Sequence, residues 1–306
     1  MDRKTSLIVI TGPTGSGKTG IALNLSRSCP IEVISADSMQ IYRHMDIATA
    51  KPSEHEKSLL PHHLIDIVAP DEEFNAGMFA GLAREKIPQI LSRGHIPVVV
   101  GGTGLYIKSL IYGLIPAPPR SQRLRAYFQS LREKKGAQYL WHILALTDPL
   151  SAAKITPNDS ARIVRYLEII FCAGLRPSSL HEEHAFSTPR YDTRIVCIMP
   201  DRHSLYSAID SRVHRMVDRG LVAETQKLLA MGYDSSLRSM QTLAYKHVLR
   251  YLNSEIGMDD AVSDIQRDTR RYAKRQITWI RGHHDSGSYC GADDACKLIL
   301  SWIDDR

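Results

Sequence analysis

SLIVITGPTGSGKT, residues 6–19, decides the fold. Its first part is a short, β-branched apolar run closed by Thr11, Gly12 and Pro13, the pattern of a strand buried on both faces that ends in a turn. Its second part, Gly12-Pro13-Thr14-Gly15-Ser16-Gly17-Lys18-Thr19, satisfies GxxxxGK[ST] directly after that strand and directly before a helix, which the pattern places over residues 20–28. The glycines let the backbone curl so that its N–H groups converge on a polyphosphate, and the helix start adds partial positive charge. Lys18 supplies a full charge and Thr19 a hydroxyl for Mg²⁺. The motif is that of nucleotide-binding (ATP-binding) proteins, yet it does not say which phosphate compound it holds.

Outward from this loop, residues 31–35, 64–68 and 96–100 read as further buried strands, with helical patterns such as residues 77–93 between them. Such alternation predicts an α/β fold, a parallel sheet flanked by helices. At residues 115–119, Ile-Pro-Ala-Pro-Pro, the pattern breaks. From Arg120 to about Arg176 it turns helical and Arg-rich, the signature of an inserted helical subdomain. Residues 194–199 return as a strand, and a helical C-terminal region follows.

A chain of 306 residues exceeds one small binding module, and its 43% hydrophobic and 24% charged residues exclude disorder and fibrous repeats. Lys and Arg number 39 against 33 acidic residues, so the net +6 favours approach to polyanions. The five cysteines, Cys29, Cys172, Cys197, Cys290 and Cys296, lack CxxC spacing, which argues against a disulfide framework or zinc knuckle and for a reducing cytoplasm. Arg3 and Lys4 precede an apolar run that leads into the glycine loop rather than a cleavage site, so no signal peptide is expected. Nothing approaches the roughly 18 consecutive apolar residues of a membrane span.

An NTPase wants an acidic residue closing an apolar strand near the loop. Residues 97–100, Pro-Val-Val-Val, instead end in Gly101-Gly102-Thr103-Gly104, and Asp66 is a weaker substitute, so hydrolysis is disfavoured. After the second strand comes SADSMQIYR, residues 35–43, which puts Asp37 at the carboxyl end of a strand beside the phosphate loop, the edge where open α/β sheets bind ligands. An N-cap for a following helix is the alternative role of Asp37.

With these motifs the sequence resembles the tRNA dimethylallyltransferase (isopentenyltransferase) family. The resemblance is carried by GPTGSGKT from Gly12, SADSMQIYRHMDIATAKP from Ser35, HHLID from His62, VVVGGTGLYIKSLIYGL from Val98, RIVRYLE from Arg162 and TRRYAKRQITW from Thr269, and spans nearly the whole chain. It implies a P-loop catalytic core over residues 1–118 and 191–306, and a helical tRNA-binding insert over 119–190. It further implies transfer of a dimethylallyl group from dimethylallyl diphosphate, the co-substrate, to the exocyclic amine of the adenine beside the anticodon. By the same resemblance Asp37 is the general base, worth about 10²- to 10⁴-fold for a weak amine nucleophile. Thr103 hydrogen-bonds the diphosphate near its departing oxygen, and Arg212 reaches the diphosphate. Lys18, Thr19, Mg²⁺ and the loop amides stabilise the leaving group.

The expected tRNA contacts are Asp37, Ser38, Met39 and Gln40, whose amide has a donor and an acceptor for a base edge, together with Thr103, Arg123, Arg125 and the segment Ala161, Arg162, Ile163, Val164, Arg165. Arg267, Arg271, Lys274 and Arg275 recur at helical spacing as a backbone grip. Tyr272 and Trp279 fit either base stacking or the core, the core being the commoner place for a helical aromatic. Two departures stand out: Ala161 where the family carries Gln, and Ala244-Tyr245-Lys246-His247 where it carries Gly-Tyr-Lys-Glu. The resemblance leads us to expect a cytoplasmic, monomeric protein with no membrane partner. Three other readings stay open: the same transfer onto a free adenine nucleotide, a small-molecule kinase using ATP at this loop, and an RNA-binding P-loop protein without catalysis.

Overall fold

A computed structural model describes residues 5–283 and 287–304; Arg3 and Lys4 lie outside the described residues. The chain forms two compact units, one of residues 112–188 and the other of the chain on either side of them.

The larger unit opens with β1 (Ser6–Thr11), whose Leu7, Ile8, Val9 and Ile10 are all fully buried, as a strand covered on both faces requires. α1 (Lys18–Leu25), β2 (Ile31–Ser35), α2 (Glu54–Leu59), β3 (His62–His63), α3 (Ala76–Ser92), β4 (Ile96–Gly101) and α4 (Gly104–Tyr112) follow. The smaller unit holds α5 (Gln122–Lys135), α6 (Ala137–Thr147), α7 (Pro149–Ala152), α8 (Ser160–Ala173) and α9 (Pro177–His184). The chain then returns as β5 (Asp192–Ile198), α10 (Arg202–Asp218), α11 (Leu221–Ala230), α12 (Tyr245–Leu252), α13 (Met258–His283), β6 (Ser288–Cys290) and α14 (Ala292–Asp304).

The six strands pair in parallel in the order β3-β2-β4-β1-β5-β6, with Ile8 opposite Val98 on one side and Arg194 on the other. β1 therefore lies mid-sheet, and the loops after β1, β2 and β4 leave the same carboxyl edge as neighbours. On one face Ile8, Ile10, Val33, Val98, Val100 and Val196 pack with Ile21 and Leu25 of α1 and Ile299 of α14, while α3 packs on β2 and β4. Each such aliphatic side chain contributes about 1.5–3 kcal/mol when fully buried.

Two expectations are corrected. The first helix starts at Lys18, not residue 20, because Gly17 at φ 84° already turns the chain into it. The strand expected over residues 64–68 is instead the two-residue β3, after which Leu64 and Asp66 adopt φ of 63° and 58°. That left-handed backbone breaks extension, and only Val68 bridges to Tyr42. The C-terminal region is helical, with β6 added as an edge strand beside β5. Among the described residues no disulfide forms and no helix is long and apolar enough to cross a membrane.

In the smaller unit Phe128, Leu140, Leu144, Ile163 and Leu167 form a separate core. Beside it Glu168, fully buried, takes both a bidentate pair from Arg125, at 2.8 and 3.0 Å, and an ion pair from Arg165 at 3.5 Å.

Candidate functional site

The phosphate loop is shaped by two left-handed glycines, Gly15 at φ 83° and Gly17 at φ 84°, positions that favour glycine because a Cβ is strained there. Gly17 occupies the N-cap of α1 and no side chain caps that end, so its first N–H groups face the loop. Lys18 Nζ donates to the carbonyls of Gly12 (2.9 Å) and Pro13 (2.7 Å) and reaches Ser16 Oγ at 3.5 Å. Burial lowers its pKa to about 8, opposed by the charge of Asp37 and assisted by Arg212. Thr19 follows on the first turn of α1.

Asp37 leaves the end of β2. Its Oδ1 accepts the Met39 N–H at 2.8 Å in a local turn, so it does not cap a helix. Thr103 lies beside it, tied by its own N–H to the Ala36 carbonyl (3.1 Å), and its Oγ1 accepts the Ser38 N–H at 3.0 Å. Gly101 permits this junction, since a Cβ there would sit 2.2 Å from the Ala36 carbonyl oxygen. Asp37 and Thr103 are thus brought together by adjacent strands 66 residues apart in sequence.

Arg212 reaches the loop from α10, donating from a terminal nitrogen to Thr14 Oγ1 at 3.0 Å. Its Nε is buried with no hydrogen-bond partner, and burial lowers its pKa against the opposing charge of Asp37. An unpartnered buried cation donor beside a glycine loop and Lys18 suits an anion with several oxygens.

Two residues not singled out as catalytic complete the site. Gln276 of α13 accepts the Thr14 N–H at 2.8 Å and donates to the Gly102 carbonyl at 2.9 Å. Tyr272, one turn earlier, interacts with the side chains of Thr103 and Gln276, and burial pushes its phenol up to about 12. Trp279 lies against Gly104, where a Cβ would fall 2.2 Å from the indole, and stacks on His283. α13 is held on α10 by Leu205, Ile209, Ala273 and Ile277. The helical period of TRRYAKRQITW was the signal available for Gln276: it falls on the face of Ala273, opposite the basic one.

Several expected contacts have other partners. Ser35 Oγ donates to Gln40 Oε1 at 3.0 Å, while Gln40 Nε2 donates to the carbonyls of Thr49 and Ala50, so this amide braces its own loop. The side chain of Ile163, in the expected tRNA-binding segment, is fully buried in the core of the smaller unit. Arg125 and Arg165 are engaged by Glu168. Arg123 and Ala161 are exposed, Val164 is half-buried, and Arg162 pairs with Asp159 at 3.2 Å. On α13, Arg267 pairs with Asp264 at 2.6 Å and Arg271 with Asp268 at 3.5 Å, while Arg271, Lys274, Arg275, Thr278, Trp279 and His283 line one groove.

The stretch SMQIYRHMDIATAKP after Asp37, residues 38–52, is held by α11 and α12. Glu224 accepts the N–H groups of Asp46 (2.9 Å), Ile47 (2.7 Å) and Ala48 (3.2 Å) and the Tyr245 hydroxyl (2.7 Å). His247, at the departure from the family pattern, is buried and bonds Asp268 at 3.0 Å, so a polar partner is kept there. Burial lowers its pKa against the pull of Asp268.

Residues 40–283 match the family model described as IPP transferase, and residues 5–66 the one described as isopentenyl transferase. The chain belongs to the IPP transferase family. It is 45% identical over 279 residues to tRNA dimethylallyltransferase 1 of Syntrophotalea carbinolica, covering 91% of this chain and 89% of that one. It is 46% identical over 278 residues to the tRNA dimethylallyltransferase of Geobacter sulfurreducens, covering 91% and 89%. Among solved structures it is similar to the tRNA delta(2)-isopentenylpyrophosphate transferase of Staphylococcus epidermidis, with TM-score 0.71, 35% identity and coverage of 99% and 100%. It is also similar to a eukaryotic dimethylallyltransferase acting on tRNA, with TM-score 0.78, 30% identity and coverage of 90% and 70%. For this IPP transferase family member, the parallel sheet flanked by helices is the architecture the sequence led us to expect.

Proposed function

We propose that this protein transfers a dimethylallyl group from dimethylallyl diphosphate to the N6 amine of the adenine immediately 3′ of the anticodon in tRNA, releasing diphosphate. The observation that carries this reading is the juxtaposition of an anion cradle (Lys18, the amides of the phosphate loop and the unpartnered Nε of Arg212) with a carboxylate and a hydroxyl, Asp37 and Thr103, at the same sheet edge. Asp37 beside that cradle supplies the base that alkylation of an amine requires, and Thr103 a donor for the departing oxygen.

The amine attacks C1 of the dimethylallyl group, the C1–O bond breaks, and its electron pair leaves with the diphosphate. Asp37 accepts the amine proton as the new C–N bond forms, and its charge favours the cationic character on the allylic carbon. Thr103 donates to the departing oxygen. Lys18, Arg212 and the amides of residues 14–19 hold the negative charge that accumulates there. The donor set fits Mg²⁺ carried on phosphate: among the described residues no cluster of His, Cys, Asp and Glu forms a metal cage, so Thr19 would supply a hydroxyl and the rest of the shell would be substrate oxygens and water. Such an ion would neutralise diphosphate charge.

The RNA is held by cations and read at an extruded base. Lys274 and Arg275 of α13, both exposed, support a grip on the phosphate backbone, and Arg123 and Arg162 a second one on the insert. We place the enzyme in the cytoplasm as a monomer.

Mass spectrometry of nucleosides from tRNA incubated with protein and dimethylallyl diphosphate should show adenosine heavier by one C5H8 unit, with no such product from AMP. Asp37→Ala should lower the single-turnover rate by about 10²- to 10⁴-fold while tRNA still binds. Turnover within severalfold of wild type would remove Asp37 as the base, and phosphorylated product from ATP without isoprenoid would replace the whole reading by a kinase.

A further inference from the structure

One side chain joins the two halves of the site. Gln276, only 8% exposed, uses both ends of its amide: Oε1 accepts the N–H of Thr14 in the phosphate loop, and Nε2 donates to the carbonyl of Gly102 in the loop that carries Thr103. The fit leaves no room for a side chain at residue 102, where a Cβ would lie 2.4 Å from Gln276 Nε2. Thr14 is gripped a second time through its hydroxyl by Arg212, and the neighbouring Thr103 meets Tyr272 from the same helix face as Gln276.

We infer that Gln276 is a positioning residue of the transfer reaction: its amide sets the spacing between the cradle for the diphosphate and the Thr103–Asp37 pair. This inference rests on the dimethylallyl transfer reading above. The chemistry of the bridge is selective. It needs an acceptor toward Thr14 and a donor toward Gly102 on a chain of this length; Glu keeps only the acceptor, Asn is one methylene short, and Leu has neither. A loop displaced by about 1 Å is enough to cost about 10²-fold when reacting atoms must be held in line.

The test compares wild type with Gln276→Leu and Gln276→Glu in three measurements: calorimetric titration with inorganic diphosphate in magnesium buffer, tRNA affinity by filter binding, and single-turnover transfer normalised to the tRNA-binding fraction. Gln276→Leu is expected to weaken diphosphate about tenfold and to slow transfer about 100-fold, with tRNA affinity within twofold of wild type. Gln276→Glu should bind diphosphate at least as weakly as Gln276→Leu, because its buried carboxylate meets the Gly102 carbonyl without a donor and brings a negative charge to the cradle. Adding Gly102→Ala to Gln276→Leu should cost less than the two single effects multiplied, since both act on one contact. The inference is overturned if Gln276→Leu matches wild type in diphosphate binding and rate. It is equally overturned if the rate falls only in step with tRNA affinity, or if Gln276→Glu, which loses the donor toward Gly102, matches wild type in diphosphate binding and rate. A wild type that leaves tRNA unmodified while Gln276→Leu still loses diphosphate would reject the transfer reading and keep the bridge between the loops.

Discussion

Lys18 shows how a single buried charge couples binding to pH. Its pKa is lowered to about 8 because burial disfavours the ammonium, with Asp37 opposing and Arg212 assisting the shift. The charged form predominates below pH 8 and is lost above it, so the free protein's capacity to take up an anion declines as pH rises through that value. A bound diphosphate restores the charge by pairing with it. kcat/KM for dimethylallyl diphosphate, which reports the free enzyme, should therefore fall above about pH 8, whereas kcat, which reports the loaded enzyme, stays flat over the same range. Lys18→Arg, whose guanidinium does not titrate there, should remove the alkaline limb even where its rate is lower. A limb that persists in that variant assigns the titration elsewhere.

The same scale shows what a sequence does and does not disclose. The place of Lys18, Asp37 and Thr103 at one sheet edge was legible because each sits at a fixed offset from an apolar run that had to be a strand, whereas the roles expected of Asp37 and Thr103 came from the family resemblance. Gln276 was not, because its role depends on two partners 262 and 174 residues away that no local pattern names. The internal partners of Gln40 and Arg125, Ser35 with the 49–50 carbonyls and Glu168, were not legible either, because nothing in those stretches of sequence names them.

At the level of elements, the segment after Asp37 lacks regular structure between β2 and α2 and draws its order from α11 and α12. Glu224 on α11 satisfies three consecutive backbone N–H groups, Asp46 to Ala48, and the hydroxyl of the fully buried Tyr245 on α12. Buried polar groups that lose their partner cost about 1–3 kcal/mol each; the Asp46 end is exposed and counts for less. Glu224→Ala should thus destabilise the protein by about 3 kcal/mol, read as a lower midpoint in urea, and Glu224→Gln by less because its amide oxygen still accepts. Tyr245→Phe removes one bond and should cost about 1 kcal/mol. Equal midpoints for Glu224→Ala and wild type would mean that water replaces the carboxylate. The missed strand beyond His63 belongs to this scale too. Leu64 to Val68 is apolar enough for a strand, but the left-handed turns at Leu64 and Asp66 bend the chain so that its N–H groups serve the 40–41 carbonyls rather than a ladder.

At the scale of the whole molecule, the insert interrupts the sheet unit without opening it. The chain leaves at the end of α4 and returns just before β5, and the Arg190 N–H donates to the Ile111 carbonyl at 2.7 Å, so the two ends of the insertion already meet inside the larger unit. The insert has its own apolar core around Phe128, Leu144 and Ile163 and its own buried ion pair. Closing so short a gap costs little loop entropy, about 0.6 kcal/mol for each doubling of linker length. Replacing residues 113–188 with a short Gly-Ser linker should therefore leave a protein that unfolds in one cooperative transition and binds inorganic diphosphate within about threefold of the full chain, since the cradle and Gln276 remain. tRNA affinity should drop by about tenfold or more if Arg123 and Arg162 hold the RNA, and the slope of log affinity against log salt should become shallower by about one unit per lost phosphate contact. An unchanged slope would confine the RNA grip to α13 and leave the insert a different task, while loss of diphosphate binding would show that the larger unit depends on the insert for its shape.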